Sequence, residues 1–127
     1  MEELLKRWAA VEPERCQVDV EYYIGDRIMR GFHVELTLPG GKYNGEHFEH
    51  GGAAWYAPHI QAAVQEAIEA RGWIYQQSIA SDCAEMGKYY ASCGWDCGME
   101  ERYADTQAEA LLSAYLQAIE ATTTQPA

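Results

Sequence analysis

The chain has 127 residues, with 9 lysines and arginines against 20 aspartates and glutamates, and a formal net charge of -11. This length fits one domain, and a hydrophobic content of 48% is too high for a disordered acidic tail. The acidic excess excludes a protein that binds duplexes by neutralising phosphates. No apolar run is long enough to span a bilayer, and the Met1-Glu2-Glu3 start lacks the basic region of a signal peptide. We therefore expect a cytoplasmic protein without a membrane anchor.

The charge is distributed unevenly. Residues 1–42 hold 8 acidic and 6 basic residues, whereas residues 43–127 hold 12 acidic and 3 basic ones. If the acidic part folds onto one face, its field will attract a basic partner. The alternative is that a net charge away from zero simply keeps a small protein in solution.

Periodicity predicts a helix and then a hairpin in the amino-terminal third. Apolar residues recur every three to four positions over residues 2–11, and Pro13 ends this predicted helix. From Cys16 the period becomes two, and alternating runs on either side of Gly25-Asp26 predict a β-hairpin. In the first strand Val18, Val20, Tyr22 and Ile24 are expected on the apolar face and Tyr23 on the outward face, and the second strand alternates again from Ile28 to Leu38.

The next stretch, residues 42–52, has no clear period and is either a functional loop or a hidden short edge strand. Pro58 and Gly72 then bracket an apolar stripe of helical spacing, which predicts a helix over residues 58–71. The remaining predicted elements are strands over residues 73–79, 88–95 and 99–104 and a helix over residues 107–121 that begins with a Thr106–Glu109 capping box.

These elements predict an α+β fold. We expect one domain over residues 1–121, in which three helices pack with a small antiparallel sheet made of the amino-terminal hairpin and the carboxy-terminal strands. Residues 122–127 are expected to form a disordered tail.

Histidines and cysteines offer one candidate metal site. His47 and His50 are separated by two residues, and Cys93 and Cys97 by three, and such nitrogen and sulfur donors suit zinc. The spacing is weaker than that of paired CxxC knuckles. The simpler interpretation is that the histidines are solvated and that Cys93 is a small core residue, so we expect no metal and no other cofactor. The remaining cysteines, Cys16 and Cys83, could be exposed.

The densest group of titratable residues is Glu46, His47, Glu49 and His50. These residue types perform general acid–base catalysis only when they converge in a pocket, which their spacing alone does not establish. The sequence contains no phosphate-binding loop, nucleophile elbow, GxGxxG or HExxH motif. We therefore expect a protein without enzymatic activity.

Adjacent tyrosines indicate a recognition surface. Tyr22 and Tyr23, and likewise Tyr89 and Tyr90, are neighbours in predicted strands, so one member of each pair faces away from a one-sided sheet. An outward tyrosine among carboxylates is typical of a protein interface. The alternative is that a helix covers this side of the sheet.

Part of the chain resembles a family of small phage proteins, the ABA sandwich. The resemblance covers residues 53–121 and rests on Trp55-Tyr56-Ala57-Pro58, on the helix that ends before Gly72-Trp73, and on Tyr103-Ala104-Asp105-Thr106-Gln107-Ala108-Glu109-Ala110. In that family a cap of the form Ala-x-Thr-x-x-Glu-Ala precedes a helix. The resemblance implies a phage or prophage origin and identifies no catalytic residue. The amino-terminal hairpin lies outside it.

A small, acidic, aromatic-rich and phage-like chain resembles the proteins that phages use against host machinery, including anti-CRISPR proteins. This implies a protein that binds a basic host protein surface, most concretely a CRISPR effector complex, and blocks nucleic acid without binding it directly. The residues expected to contact the partner are Glu46, Glu49, Asp82, Glu85, Asp96, Glu100, Glu101, Tyr23 and Tyr90. A metal-binding or enzymatic domain and a phage structural or assembly component are the alternatives.

Overall fold

A computed structural model describes residues 1–24, 27–47, 56–79, 87–95 and 98–124. The helices within these residues are α1 (Glu2–Val11), α2 (Ala57–Ala70) and α3 (Gln107–Thr124). The strands are β1 (Cys16–Ile24), β2 (Arg27–Leu38), β3 (Gly41–His47), β4 (Ile74–Ile79), β5 (Tyr89–Trp95) and β6 (Gly98–Ala104). They form two antiparallel sheets, β1-β2-β3 and β4-β5-β6. The α+β class with three helices is confirmed, and the strands make two sheets instead of the single one expected.

The chain divides into two compact units, Met1–Ala63 and Val64–Ala127. The first contains α1, the first sheet and the beginning of α2, and the second contains the rest of α2, the second sheet and α3. One domain over residues 1–121 stays a prediction. Helix α3 continues to Thr124, so part of the segment expected to be a disordered tail is helical.

In the first unit, α1 begins and ends as its periodicity predicts, and its apolar side buries Leu5 and Trp8. The indole Nε1 of Trp8 donates a hydrogen bond of 2.9 Å to Oε1 of Glu12, a side chain with only 6% of its surface exposed. The backbone N–H of Glu12 also donates to the carbonyl of Trp8. Because a buried carboxylate needs donors, the bond from the indole of Trp8 helps to explain how the Glu12 side chain is tolerated where the helix ends.

The hairpin strands form as predicted, but their alternation is interrupted. Between Asp19 and Glu21 the register shifts, since two steps along β1 correspond to three steps along β2, from His33 to Arg30. Residues opposite each other in paired strands lie on the same face of the sheet. The alternation predicted from the sequence is therefore wrong for one of the two strands on one side of this irregularity. The predicted turn, Gly25-Asp26, lies outside the described residues.

The stretch predicted as a functional loop or an edge strand contains β3 over Gly41–His47, which pairs with β2; residues 48–52 lie outside the described residues. Phe32, Val34 and Leu36 are buried on the inner face of this sheet. Gly45, opposite Val34, lies beneath the ring of Tyr56, where an added Cβ would come within 3.1 Å of two ring carbons. A glycine there lets the ring pack directly on the strand.

In the second unit, two local signals define the helix boundaries. Gly72 has a φ of +74° and the N–H of Trp73 donates to the carbonyl of Ile68, which confirms a glycine-terminated α2. The hydroxyl of Thr106 accepts a hydrogen bond of 3.1 Å from the N–H of Glu109 at the start of α3, as the capping box predicts. Helix α3 packs against β5 and β6. Among the described residues, no helix has the length and apolar character needed to cross a membrane.

Candidate protein-binding surface

One face of the second sheet carries exposed side chains on its two outer strands. Ala91 and Cys93 on the central strand are buried on one face. On the other face Gln76, Ser78 and Glu101 of the outer strands are exposed, while Ser92 and Gly94 of the central strand are buried. Because alternate residues of a strand share a face, the register identifies the whole outward set. We call it the tyrosine face, and its members are Ile74, Gln76, Ser78, Tyr90, Ser92, Gly94, Met99, Glu101 and Tyr103.

Two tyrosines and a carboxylate form the most specific feature of this face. Tyr90 and Tyr103 are opposite each other on β5 and β6, with ring centroids 5.2 Å apart and planes inclined by 58°. The hydroxyl of Tyr90 donates a hydrogen bond of 3.1 Å to Oε1 of Glu101. The tilted ring pair stabilises both side chains, and the hydrogen bond restricts Tyr90 further. The face therefore presents ordered aromatic surface beside an exposed negative charge.

The rest of the tyrosine face is uncharged and partly apolar. Ile74 exposes 49% of its surface, and Met99 is half-buried. Ser92 and Gly94 lie between the tyrosines and the pair Ile74 and Met99 in the register, and both are buried. Glu101 is the single ionisable carboxylate or amine among the nine residues. Such a mixture of aromatic and apolar surface with little charge is typical of the centre of a protein interface.

The outward face of the first sheet has a different character. Nζ of Lys42 lies 2.8 Å from Oε1 of Glu35, and Nδ1 of His33 lies 3.9 Å from Oδ2 of Asp19. These positions face away from the buried Val34 and Leu36. A carboxylate lies beside a lysine in one pair and beside a histidine in the other, and Lys42 and Asp19 are largely exposed. Exposed pairs of this kind contribute little, so this face offers less to a partner than the tyrosine face does.

Of the residues predicted to contact a partner, the structure brings Tyr90 and Glu101 together. Glu100 precedes Glu101 in β6 and therefore points to the opposite face, across from Cys93, where it is half-buried. The two adjacent glutamates do not share a surface. Tyr90 and Glu101 as contact residues stay a prediction, and Glu100 is the weaker candidate.

The remaining predicted contact residues lie in the first sheet or outside the described residues. Tyr23 lies in β1 opposite Ile28, and Glu46 lies in β3 opposite His33, both in the first sheet. Glu49, Asp82, Glu85 and Asp96 lie outside the described residues.

The predicted metal ligands are only partly described. Cys93 is buried in the second sheet, as the simpler interpretation has it, and the backbone of His47 lies at the end of β3 opposite Phe32. His50 and Cys97 lie outside the described residues. Over residues 1–24, 27–47, 56–79, 87–95 and 98–124, no three histidine, cysteine or acidic side chains converge on one point.

Cys16, one of the two cysteines for which exposure was left open, is buried at the start of the first strand. Cys16 lies opposite Leu36 on the inner face, and its thiol donates to the carbonyl of Leu5, with Sγ 3.7 Å from the oxygen. Burial raises the pKa of the Cys16 thiol to about 12, and burial does the same for Cys93 against a smaller opposing effect of Arg71. Neither thiol is a nucleophile near neutral pH. Cys83 lies outside the described residues.

Sequence reasoning missed Tyr103 as a member of the tyrosine face. Its position follows from the close connection of β5 and β6, since a pairing of Trp95 with Gly98 places Tyr103 opposite Tyr90. The signal available in the sequence was the equal distance of the two tyrosines from this short connection, which hairpin geometry turns into a cross-strand pair.

A second missed group lies where α2 ends. The guanidinium carbon of Arg71 is 4.9 Å from the ring centroid of Trp73, and its Nε donates a 2.9 Å hydrogen bond to the hydroxyl of Tyr115. Trp73 also contacts Trp95, with ring centroids 5.5 Å apart. The arginine lies as a cation over the rings of Trp73 and Tyr115, so the group joins the segment between α2 and β4 to β5 and α3 within the second unit.

Comparisons with known proteins add one partial similarity. No protein-family model matches the sequence. A cysteine–tRNA ligase of Phocaeicola vulgatus is 33% identical to this chain over an aligned stretch of 70 residues, and the alignment covers 49% of this chain. The chain spans 14% of the length of that enzyme, so the similarity concerns one segment of it. The resemblance to phage ABA-sandwich proteins stays a prediction.

Proposed function

We propose that this chain is a protein-binding module without chemistry of its own, and that the tyrosine face binds a basic protein surface. The observation that carries the proposal is the hydrogen bond from the half-buried Tyr90 to the exposed Glu101. It combines aromatic contact area with a charge that a lysine or arginine of the partner would meet.

The order of these side chains favours binding. A tyrosine has few rotatable bonds, and the contacts of Tyr90 with Tyr103 and Glu101 already restrict it. Ordering side chains on association costs about 0.5–1.5 kcal/mol for each flexible one. A surface ordered in advance avoids most of this cost, so a modest contact area can give useful affinity.

The charge of the surrounding unit favours a basic partner. Residues 64–127 hold 10 acidic residues against 3 basic ones. Two of the three basic side chains lie over aromatic rings of their own unit, Arg71 over Trp73 and Lys88 over Tyr89. The resulting negative field would speed encounter with a positively charged surface and repel nucleic acid phosphates.

In its more specific form, the proposal is that the partner is the nucleic-acid-binding surface of a host complex in the cytoplasm, as in an anti-CRISPR inhibitor of a CRISPR effector. A surface that holds phosphates must be basic, which is the charge that Glu101 and its unit complement. Occupying that surface would block nucleic acid without any direct contact between this chain and nucleic acid.

The test is to isolate the partner by affinity capture from host lysate, identify it, and measure its affinity for purified variants. E101K should weaken binding at least about tenfold, because a repulsive charge replaces an attractive one. E14K changes the net charge equally at an exposed position of the first unit and should change affinity less than about twofold. Y90A/Y103A removes the aromatic contact and should weaken binding further.

Salt separates the electrostatic contribution from the aromatic one. If the carboxylates contribute as proposed, affinity falls between about 50 and about 500 mM NaCl, where charges are increasingly screened. Equal losses in E101K and E14K would contradict a site on the tyrosine face. An affinity that does not change with salt would contradict the choice of a basic partner.

A second candidate function rests on the cysteine–tRNA ligase similarity. In this version the chain is a module that accompanies an enzyme acting on tRNA and binds the tRNA or the enzyme itself. A gel-shift titration with purified tRNA, and capture with purified cysteine–tRNA ligase, distinguish the two functions. A shift by free tRNA would favour the second candidate, since the first expects the net charge of -11 to repel RNA.

A further inference from the structure

Each of the two sheets has two edge strands among the strands that the structure describes: β1 and β3 in the first, β4 and β6 in the second. Three of the four carry charged residues, which oppose pairing with another chain. These are Asp19 and Glu21 on β1, Lys42 and Glu46 on β3, and Glu100, Glu101 and Arg102 on β6. Strand β4, with the sequence IYQQSI, carries none.

Within its own described residues, β4 also lacks proline, glycine and a bulge, three further features that protect an edge. All six of its residues pair with β5 in one continuous register. Ile74 exposes 49% and Ile79 62% of its surface, and Gln76 and Ser78 are exposed as well. A six-residue, uncharged strand rich in β-forming residues is a favourable template for a further strand.

We propose that two copies of this chain pair through antiparallel β4 strands and form a continuous six-stranded sheet. Two antiparallel edges join in this way about a two-fold axis perpendicular to the sheet. With the axis at Gln76, Ile74 lies opposite Ser78 of the second copy, and Tyr75 opposite Gln77. Such pairing leaves no like charges facing each other.

A second copy fits this edge better than a foreign basic strand does. The uncharged edge offers a lysine or arginine nothing to pair with, because Glu101 lies on β6, the far edge of the sheet. Pairing of β4 with itself is neutral at the contact, while the rest of each copy carries a net charge of -11. Added salt should therefore strengthen the dimer by screening this repulsion.

The dimer also bears on partner binding, and this part of the inference rests on the proposed function. The two-fold axis keeps both tyrosine faces on the same side of the six-stranded sheet, so one dimer would present Tyr90 and Glu101 twice. Binding to a basic partner is expected to weaken with salt, whereas dimerisation is expected to strengthen. The opposite salt dependences make failure of either proposal distinguishable from failure of the other.

The test is sedimentation of the full chain over a range of concentrations at about 50 and about 500 mM NaCl. We expect a reversible monomer–dimer equilibrium, with a dissociation constant that falls with salt. Q76K and Q76E should each raise this constant at least about tenfold, because each places like charges together at the two-fold axis. A mixture of Q76K and Q76E should restore dimerisation as a heterodimer.

N44K is the matched control, because Asn44 is exposed on the edge strand β3 and the substitution changes the net charge as Q76K does. It should leave the dissociation constant within about twofold of that of the unaltered chain. Circular dichroism establishes that each variant is folded. A monomer at every concentration and salt level, a mixture that stays monomeric, or an N44K variant as impaired as Q76K would each overturn the proposal.

Discussion

The outward face of the first sheet pairs Lys42 with Glu35 and His33 with Asp19, whereas the outward face of the second pairs Tyr90 with Tyr103. Both sheets are antiparallel, three-stranded and ordered along the chain, so connectivity does not explain the contrast. One face is built to be solvated and the other retains aromatic surface that water covers poorly. The charge of this protein therefore indicates where a partner could bind only when it is assigned to a face of a sheet.

The inward faces, by contrast, are alike. Each buries one cysteine, Cys16 in the first sheet and Cys93 in the second, beside apolar or small neighbours. The difference between the sheets therefore lies in their outward residues and in the close contacts at their turns. Substitutions matched between the two sheets can test this comparison.

The largest expected effect concerns two glycines with positive φ, Gly41 at the start of β3 and Gly87 two residues before β5. Gly87 has a φ of +121°, and a Cβ there would lie 2.7 Å from the backbone nitrogen of Ala104, whereas Gly41 has a φ of +143° and open space around it. G41A should lower the free energy of unfolding by about 2 kcal/mol through backbone strain alone. G87A should lower it by about 4 kcal/mol, because overpacking adds to the strain.

Urea denaturation of both variants measures the difference. Equal losses of stability in the two variants would contradict tighter packing around Gly87, just before β5, than around Gly41, at the turn between β2 and β3. G41A is the control for the backbone strain that both glycines share.

The second prediction tests the similarity of the inward faces through pH. Burial raises the pKa of Cys16 and Cys93 from 9.0 to about 12, so the folded state holds both protons where the unfolded state releases them. Stability contributed by the protonated thiols is full below pH 9 and is lost as the pH rises toward 12. Each thiol should lower the free energy of unfolding by about 1.4 kcal/mol per pH unit in this range.

Denaturation at pH 8 to 10 of the unaltered chain and of C16A/C93A measures this dependence. The double variant will be less stable at pH 8 because of the cavities it creates, but its stability should decline less steeply with pH. The same slope in both proteins would mean that the thiols are not buried in the folded state. Single variants show whether the two sheets contribute equally.

A third prediction concerns the helices that accompany the sheets. In the second unit Thr106 caps α3 through its hydroxyl, whereas the first residue of the chain, Met1, precedes α1 without a side-chain cap. T106A should lower the free energy of unfolding by about 1 kcal/mol, and T106S should retain most of the stability. A T106A variant as stable as the unaltered chain would show that the cap contributes nothing to α3.

Local signals predicted much of this fold because they depend on residues close in sequence. Thr106 and Glu109 are three positions apart, and Gly72 ends the helix that precedes it, so both boundaries were visible in the chain alone. The register shift between Asp19 and Glu21 was not, because it depends on which residues of β2 face them. The same holds for Cys16, whose burial depends on Leu5 in the preceding helix.

The candidate surface was predicted only in part for the same reason. Adjacent tyrosines indicated that Tyr90 or its neighbour faces outward, but the contact with Tyr103 requires the pairing of β5 with β6. The sequence placed Glu100 and Glu101 together, and the strand separates them onto opposite faces. Charge counted along a chain gives no direction until the strands that carry it are known.

The smallest expected effect tests the solvated face directly. Oε1 of Glu35 forms an ion pair with Nζ of Lys42 at 2.8 Å, and the lysine is largely exposed. E35Q should therefore lower the free energy of unfolding by about 0.5 kcal/mol at low salt and by less at high salt. E101Q removes the carboxylate that Tyr90 contacts on the tyrosine face and should have a similarly small effect on stability. The two variants should differ in partner binding, which E101Q weakens and E35Q leaves unchanged. If E35Q impaired binding as much as E101Q does, the two outward faces would be functionally equivalent, and the contrast between them would concern composition alone.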